Sequence, residues 1–335
     1  MKSKVTDLLL ARRAARPLGP IVLIAVAVFL IGLWVPHFAT FGNLIQILIQ
    51  ASFTAVVAFG MTLVIVTGGI DLSVGGVISL VGVVEADLFL HDIPWPVAVL
   101  AGLATGAASG TVSGLVVGRL KLPPFIATFG TFGVTAGLAL YLAPPISETI
   151  SYPGALASLG SGSFVSIPYL VFAAFLVLVV VEVLYGMTHW GVWLRATGDA
   201  LPVARLRSVP VPRVLCLAYI VSGLCAAIAG TLLAAYLTSP NPEQGGPYTL
   251  WAIAACVIGG VDLSGARGKL WAAGLGAVFL AAIQNALALE EVQPFYSDMV
   301  TGLLIIVAVV VATYAPLIRK ELMTALGRIR LKAAS

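Results

Sequence analysis

Two six-residue stretches place a carboxylate inside an apolar chain. Gly68-Gly69-Ile70-Asp71-Leu72-Ser73 lies between Ala55–Val66 and Val74–Val84, both without a charged residue. Gly259-Gly260-Val261-Asp262-Leu263-Ser264 repeats the pattern. A charge at the bilayer centre costs about 2.5–3.5 kcal/mol on insertion scales, so such residues are functional candidates. Three tasks fit. Asp71 or Ser73, and Asp262 or Ser264, could cap the next helix and shape a hairpin. They could touch a polar solute, or serve in gating and coupling. Two glycine-broken segments in corresponding places are a sequence pointer to a transport site.

Further polar residues fall at helical spacing. Asn43, Gln46, Gln50 and Thr54 recur at steps of three, four and four, one stripe down a helix. Their amides and hydroxyls suit an uncharged, polyhydroxylated solute. They equally suit bonds between helices, worth about 0.6 kcal/mol each in a membrane. Thr128, Thr131, Gln284 and Asn285 carry the same two readings. Gly102, Gly106, Gly110, Gly114 and Gly118 keep a strict four-residue step. Lipid supplies no hydrophobic drive between helices, so this ladder reads as a face for close backbone packing, with pore lining as the alternative.

The motifs of an enzyme are missing. Gly265-Ala266-Arg267-Gly268-Lys269-Leu270 is not a phosphate-binding loop, so ATP would be bound by a partner and the chain needs no cofactor. There is no zinc-protease helix motif and no nucleophile elbow. His37, His91 and His189 are isolated, which leaves a proton relay without parts. Cys216 and Cys225, nine residues apart, fall on opposite helix faces, and with Cys256 they read as small core hydrophobes.

The elements that carry these residues must span a membrane. Of 335 residues 60% are hydrophobic and only 10% charged, which no soluble domain of this size matches. The chain reads as one all-α transmembrane domain over residues 1–335. Ten segments are expected, at about 18–36, 43–66, 74–90, 96–118, 124–142, 166–185, 213–237, 247–260, 270–289 and 297–316. Ten spans put all 18 Lys and Arg on one side, which makes both termini cytoplasmic. The first segment is long enough to be retained rather than cleaved. The basic balance therefore reflects topology, and nucleic acid is not an expected partner. The eighth segment is too short to span and reads as a half-helix or re-entrant stretch. The longest cytoplasmic connection, Gly186–Pro212, holds Asp199 ahead of a short Ala/Leu/Arg run, the pattern of a capped two-turn helix.

These motifs resemble the ribose-type monosaccharide permease family of bacterial ATP-binding-cassette importers, over nearly the whole chain. The resemblance is carried by Thr67–Gly75, by Phe41–Leu48, by Pro123–Thr131, by Ile258-Gly259-Gly260 with Leu263-Ser264-Gly265, and by Gln284-Asn285. It implies that Arg195, Ala196, Gly198, Asp199, Ala204 and Arg205 belong to a coupling helix that docks on a cytoplasmic ATPase. It also implies a second permease subunit, identical or related, and a periplasmic sugar-binding protein over the outer loops, including Ala143–Ser166. The implied location is the bacterial inner membrane. The chain departs from the family pattern at Ala200, Pro202, Ser208, Thr249 and Trp251. Rival readings are a permease for nucleosides or branched amino acids, and an ATP-independent carrier or channel.

Overall fold

The computed structural model describes residues 18–144, 152 and 154–310, except 240, 294, 298 and 308. The described chain is helical apart from one small hairpin. In order it runs α1 Leu18–Trp34, α2 Phe41–Val66, α3 Val74–Leu90, α4 Trp95–Gly118, α5 Pro124–Leu142 and α6 Gly154–Ser161. The hairpin β1 Ser163–Phe164 and β2 Ile167–Pro168 comes next, antiparallel, with Ser163 opposite Pro168. Then come α7 Tyr169–Met187, α8 His189–Asp199, α9 Leu201–Leu206, α10 Val211–Leu237, α11 Gly246–Ile258 and α12 Leu270–Leu289. A last apolar helix, α13, covers Phe295–Val307.

Proline and glycine set the ends. Pro occupies the first turn of α4, α5, α9, α10 and α11, where its missing N–H costs nothing. Gly68 and Gly260 end α2 and α11 in the left-handed region, at φ +85° and +81°. α2 is the hub, with 94% of its spanning window buried against 17% for α5. It packs on α7, α10, α11 and α12, while α10 lies along α4.

Among the described residues six helices are long and apolar enough to cross a membrane: α2, α4, α5, α7, α10 and α12. Segments three, five and nine lie where the sequence puts them, as α3, α5 and α12. The part of the tenth segment beyond residue 310 lies outside the described residues, as do residues 1–17. The outer loop before α7 contains α6 and the hairpin. Two local expectations need correction. Asp199 does not cap a helix: it is the last residue of α8, and α9 starts from Ala200 with no side-chain cap. Nor does either break aspartate cap a helix. Ser73 is the N-cap of α3 yet makes no capping bond, and α12 starts from Lys269, five residues beyond Ser264.

The eighth segment is a composite. α11 has 13 residues, about 20 Å at 1.5 Å per residue, against a hydrocarbon core of about 30 Å. The non-helical stretch ahead of it runs down α3: Gly245 N–H donates to Ser79 Oγ at 2.9 Å, and Gly75 N–H to Thr249 Oγ at 3.0 Å. Irregular backbone in a membrane is tolerated where protein satisfies it, as Ser79 Oγ does for Gly245, while Thr249, already in α11, satisfies an N–H in the first turn of α3.

Candidate functional site

The two breaks are built alike to the level of single bonds. After α2, Gly68 N–H donates to Ile65 O at 2.8 Å and Gly69 N–H to Val64 O at 3.2 Å. After α11, Gly260 N–H donates to Val257 O and Val261 N–H to Cys256 O, both at 2.9 Å. Both are helix stops closed by a left-handed glycine. The left-handed residue is the first glycine of one pair, Gly68, and the second of the other, Gly260, with Gly69 and Gly259 beside them. Beyond the stop, Asp71 Oδ1 accepts from Ser73 N–H at 3.0 Å and Ser73 Oγ at 2.5 Å. Asp262 Oδ1 accepts from Ser264 N–H and Oγ at the same distances. The twins differ in burial: Asp71 is wholly buried and Asp262 partly exposed.

The breaks meet at α8 with only backbone between them. Ala266 N–H donates to Val66 O at 2.8 Å, tying the second break to the end of α2. Gly198 sits against that junction: a Cβ there would collide with Val66 O and lie 2.7 Å from Ala266 N. Gly265, at φ +97°, packs against Gly198 O on the other side. The α7–α8 corner is braced to the same place. Tyr185 Oη donates to Gly268 O at 3.1 Å, and Arg195 Nη1 donates to Tyr185 O at 3.1 Å with its guanidinium over the Tyr185 ring. Of the coupling candidates, Arg195 and Gly198 thus hold the junction, and Ala204 is buried. Ala196 is half-buried, while Asp199 and Arg205 are exposed. Leu206, Val203, Trp193 and Leu201 are exposed beside them.

The path candidates do not converge on one cavity. Asn43 and Asn285 form a reciprocal amide pair, 2.8 and 2.9 Å, that joins α2 to α12. Gln46 Oε1 accepts from Tyr236 Oη at 3.4 Å on α10. Gln50 and Gln284 are half-buried and Thr54 is buried. Thr128 Oγ donates within α5 to Pro124 O at 2.9 Å and lies 3.2 Å from Ile70 O of the first break. Thr131 accepts from Ser113 at 3.0 Å across α4 and α5. Among the path candidates, only Thr131 lines the open groove of about 580 Å³ between α3, α4 and α5, with Thr105, Ser109 and Thr135. The amide pair makes a first prediction. Asn285→Leu should lower the stability of the purified protein by the worth of two interhelical bonds, about 1 kcal/mol, read as a lower thermal midpoint, and leave the apparent KM of any solute uptake unchanged. A raised KM at unchanged stability would instead put Asn285 on the solute path.

The glycine ladder lies along α10. Gly106 and Gly223 face each other so closely that a Cβ on either would strike the other's carbonyl. Gly110 lies on Tyr219 and Ile220, Gly114 on Cys216 and Gly118 on Pro212. Gly102 makes room instead for Glu85, whose Oε1 a Cβ would approach to 2.6 Å.

Glu85 is a buried carboxyl that local pattern does not single out. Thr231 Oγ donates to its Oε1 at 2.5 Å. Tyr152 stands near it with a buried hydroxyl that finds no partner, and Gln244 has both amide atoms buried and unpaired. Burial pushes the Tyr152 phenol up, and the Glu85 carboxylate adds to the shift. Tyr219 and Ser222, on the α10 face toward Asp71, are likewise outside the sequence-derived set.

Comparison with known proteins places this arrangement. Residues 43–309 match the model of the family described as branched-chain amino acid transport system / permease component. The chain belongs to this family. The permease is 35% identical to a probable ATP-binding-cassette transporter permease protein, y4mJ, of Sinorhizobium fredii, over 89% of this chain and 88% of that one. It is 35% identical to the ribose import permease protein RbsC of Bacillus subtilis, over 87% and 91%. It is 34% identical to the L-arabinose transport system permease protein AraH of Escherichia coli, over 88% and 90%. No solved structure matches the permease.

Proposed function

We propose that the permease is the membrane subunit of an importer that carries a monosaccharide of pentose or hexose type into a bacterial cytoplasm, driven by a separate ATPase. The observation that carries this reading is the pair of relatives named for ribose and L-arabinose, each matched over more than four-fifths of both chains. In this reading it lies in the inner membrane, pairs with a second permease subunit, and receives sugar from a periplasmic binding protein. The ATPase docks on α8 and α9, where Leu206, Val203 and Trp193 expose apolar surface beside Arg205 and Arg207. The backbone junction at Gly198 passes α8 displacement to both breaks. Energy enters only through different affinities for the two conformations.

The test is uptake into proteoliposomes holding the permease, with the cognate ATPase and binding protein supplied. Labelled pentose or hexose should enter only when ATP and both partners are present. Uptake by the permease alone would establish a carrier or channel instead, and entry of branched amino acids but not sugars would reject the sugar assignment. Arg205→Glu should cut ATP-dependent uptake at least ~tenfold while membrane insertion and thermal stability stay unchanged, because reversing a rim charge at an interface acts on association. Wild-type uptake in that variant would remove α9 from the docking surface.

A further inference from the structure

Four aromatic rings from three helices meet beside the polar stripe of α2. Between ring centres, Phe53 on α2 stands 5.5 Å from Tyr236 on α10 and 6.5 Å from Tyr248 on α11, and Tyr248 stands 4.9 Å from Trp251. Gln46, Gln50 and Phe53 are spaced i, i+4 and i+7, so they share one face of α2. Both ends of that face touch Tyr236: its ring packs on Phe53, and its hydroxyl donates to Gln46 Oε1. Gln50 lies between the two. Its amide makes no hydrogen bond among the described residues, and neither do the Tyr248 hydroxyl and the Trp251 indole N–H. Exposure falls inward across the cluster. Gln46 and Tyr236 are exposed, Gln50, Tyr248 and Trp251 are half-buried, and Phe53 is 2% exposed. Interfacial tyrosine and tryptophan anchors present their rings to the lipid headgroups. Tyr236 and Tyr248 instead turn theirs onto Phe53, next to the glutamine amides.

We propose that Gln46, Gln50, Tyr236, Tyr248 and Trp251 form a binding platform for a neutral sugar, floored by Phe53. A sugar ring has a face of C–H groups and a rim of hydroxyls. Aromatic walls take the first. Planar amides, each with an acceptor oxygen and two N–H donors, take neighbouring hydroxyls, the division of labour usual in small-molecule sites. None of these six side chains carries a charge, so the platform offers no partner to the ammonium and carboxylate of an amino acid. The proposal rests on the transport reading above and gives its solute a place on the chain. Trp251 is one of the positions where the chain departs from the family pattern, so the platform as built here is this chain's own.

The test is saturation-transfer NMR on the full-length permease in lipid nanodiscs, without binding protein, using D-ribose, D-glucose and L-leucine as probes. At least one sugar should receive saturation from wild type through its C–H protons, and leucine should receive none. Gln50→Leu should weaken sugar binding about fivefold, the worth of one hydrogen bond. Its thermal midpoint should hold or rise, because an unpaired half-buried amide is removed. Trp251→Leu should weaken binding by at least as much, and Trp251→Phe should restore most of it by returning a ring. No sugar signal with wild type, or an equal signal from leucine, would overturn the platform. So would wild-type sugar affinity in both leucine variants. If their midpoints fell at that unchanged affinity, the cluster would be helix packing or a membrane-interface anchor. ATP-dependent uptake by the complete transporter separates the two readings. Sugar bound by wild type but not carried would sink the transport reading and support the platform, whereas normal uptake with no sugar bound sinks the platform alone.

Discussion

Gly198→Ala should reduce uptake at least ~tenfold and destabilise the permease by about 1–3 kcal/mol, the usual cost of overpacking. The added methyl meets Val66 O and Ala266 N, both backbone atoms. No rotamer change relieves such a contact, so either α8 retreats or the Ala266–Val66 bond opens. Both outcomes separate the coupling segment from the breaks. The matched control is Gly186→Ala at the end of α7, where a Cβ would meet only Glu182 Oε1 at 3.7 Å. Thermal unfolding and ATP-dependent uptake of the two variants decide the matter. If Gly198→Ala behaves like Gly186→Ala, the junction carries no coupling.

This prediction was only half legible in the sequence. Gly198 stands out there through a family motif, and nothing local says that its neighbour is the carbonyl of Val66, far earlier in the chain. Helix ends were legible wherever proline or a left-handed glycine marks them, because those residues act through their own φ angles. Hence α5 begins at Pro124 as expected, while α3 and α12, which neither residue marks, lie where hydropathy alone puts them. The small elements before α7 carry too few residues for a period to show.

Roles were less legible than positions. An aspartate two residues ahead of a serine and a helix looks like a cap, yet Asp71 Oδ1 holds Ser73 itself and the helix start goes uncapped by side chain. The same pattern is sealed in one copy and partly exposed in the other because the chain continues differently beyond each. α3 begins at once after Ser73, whereas five residues separate Ser264 from α12. Glu85 was illegible for a different reason. Its partner Thr231 lies 146 residues away, and the space for its carboxyl exists only because Gly102 on α4 lacks a side chain. Residue type alone leaves Asn43 and Asn285 open between solute contact and bonding to a neighbouring helix, and three-dimensional pairing gives both amides a partner within the fold.

The α4–α10 pair, packed glycine against glycine, should be an unforgiving place in the molecule. Gly223→Val is expected to leave no monodisperse permease after detergent extraction, a loss of more than ~3 kcal/mol, since overpacking against backbone exceeds the ordinary range. The argument is geometric. A Cβ on Gly223 strikes Gly106 O and lies 3.2 Å from Gly110 N, so two rungs of the α4 ladder are lost together. In lipid, helices gain by packing contact rather than by leaving water, so a displaced interface has little to replace what it loses. Gly133→Ala on α5 is the control, for no atom lies within 4 Å of its Cβ position, and its elution profile should match wild type. The smaller changes Gly106→Ala and Gly223→Ala should each destabilise, and together cost less than their sum. The first methyl already holds α4 and α10 apart, so the second meets a gap already opened. Additive losses in thermal midpoint would show instead that the two glycines act at independent contacts.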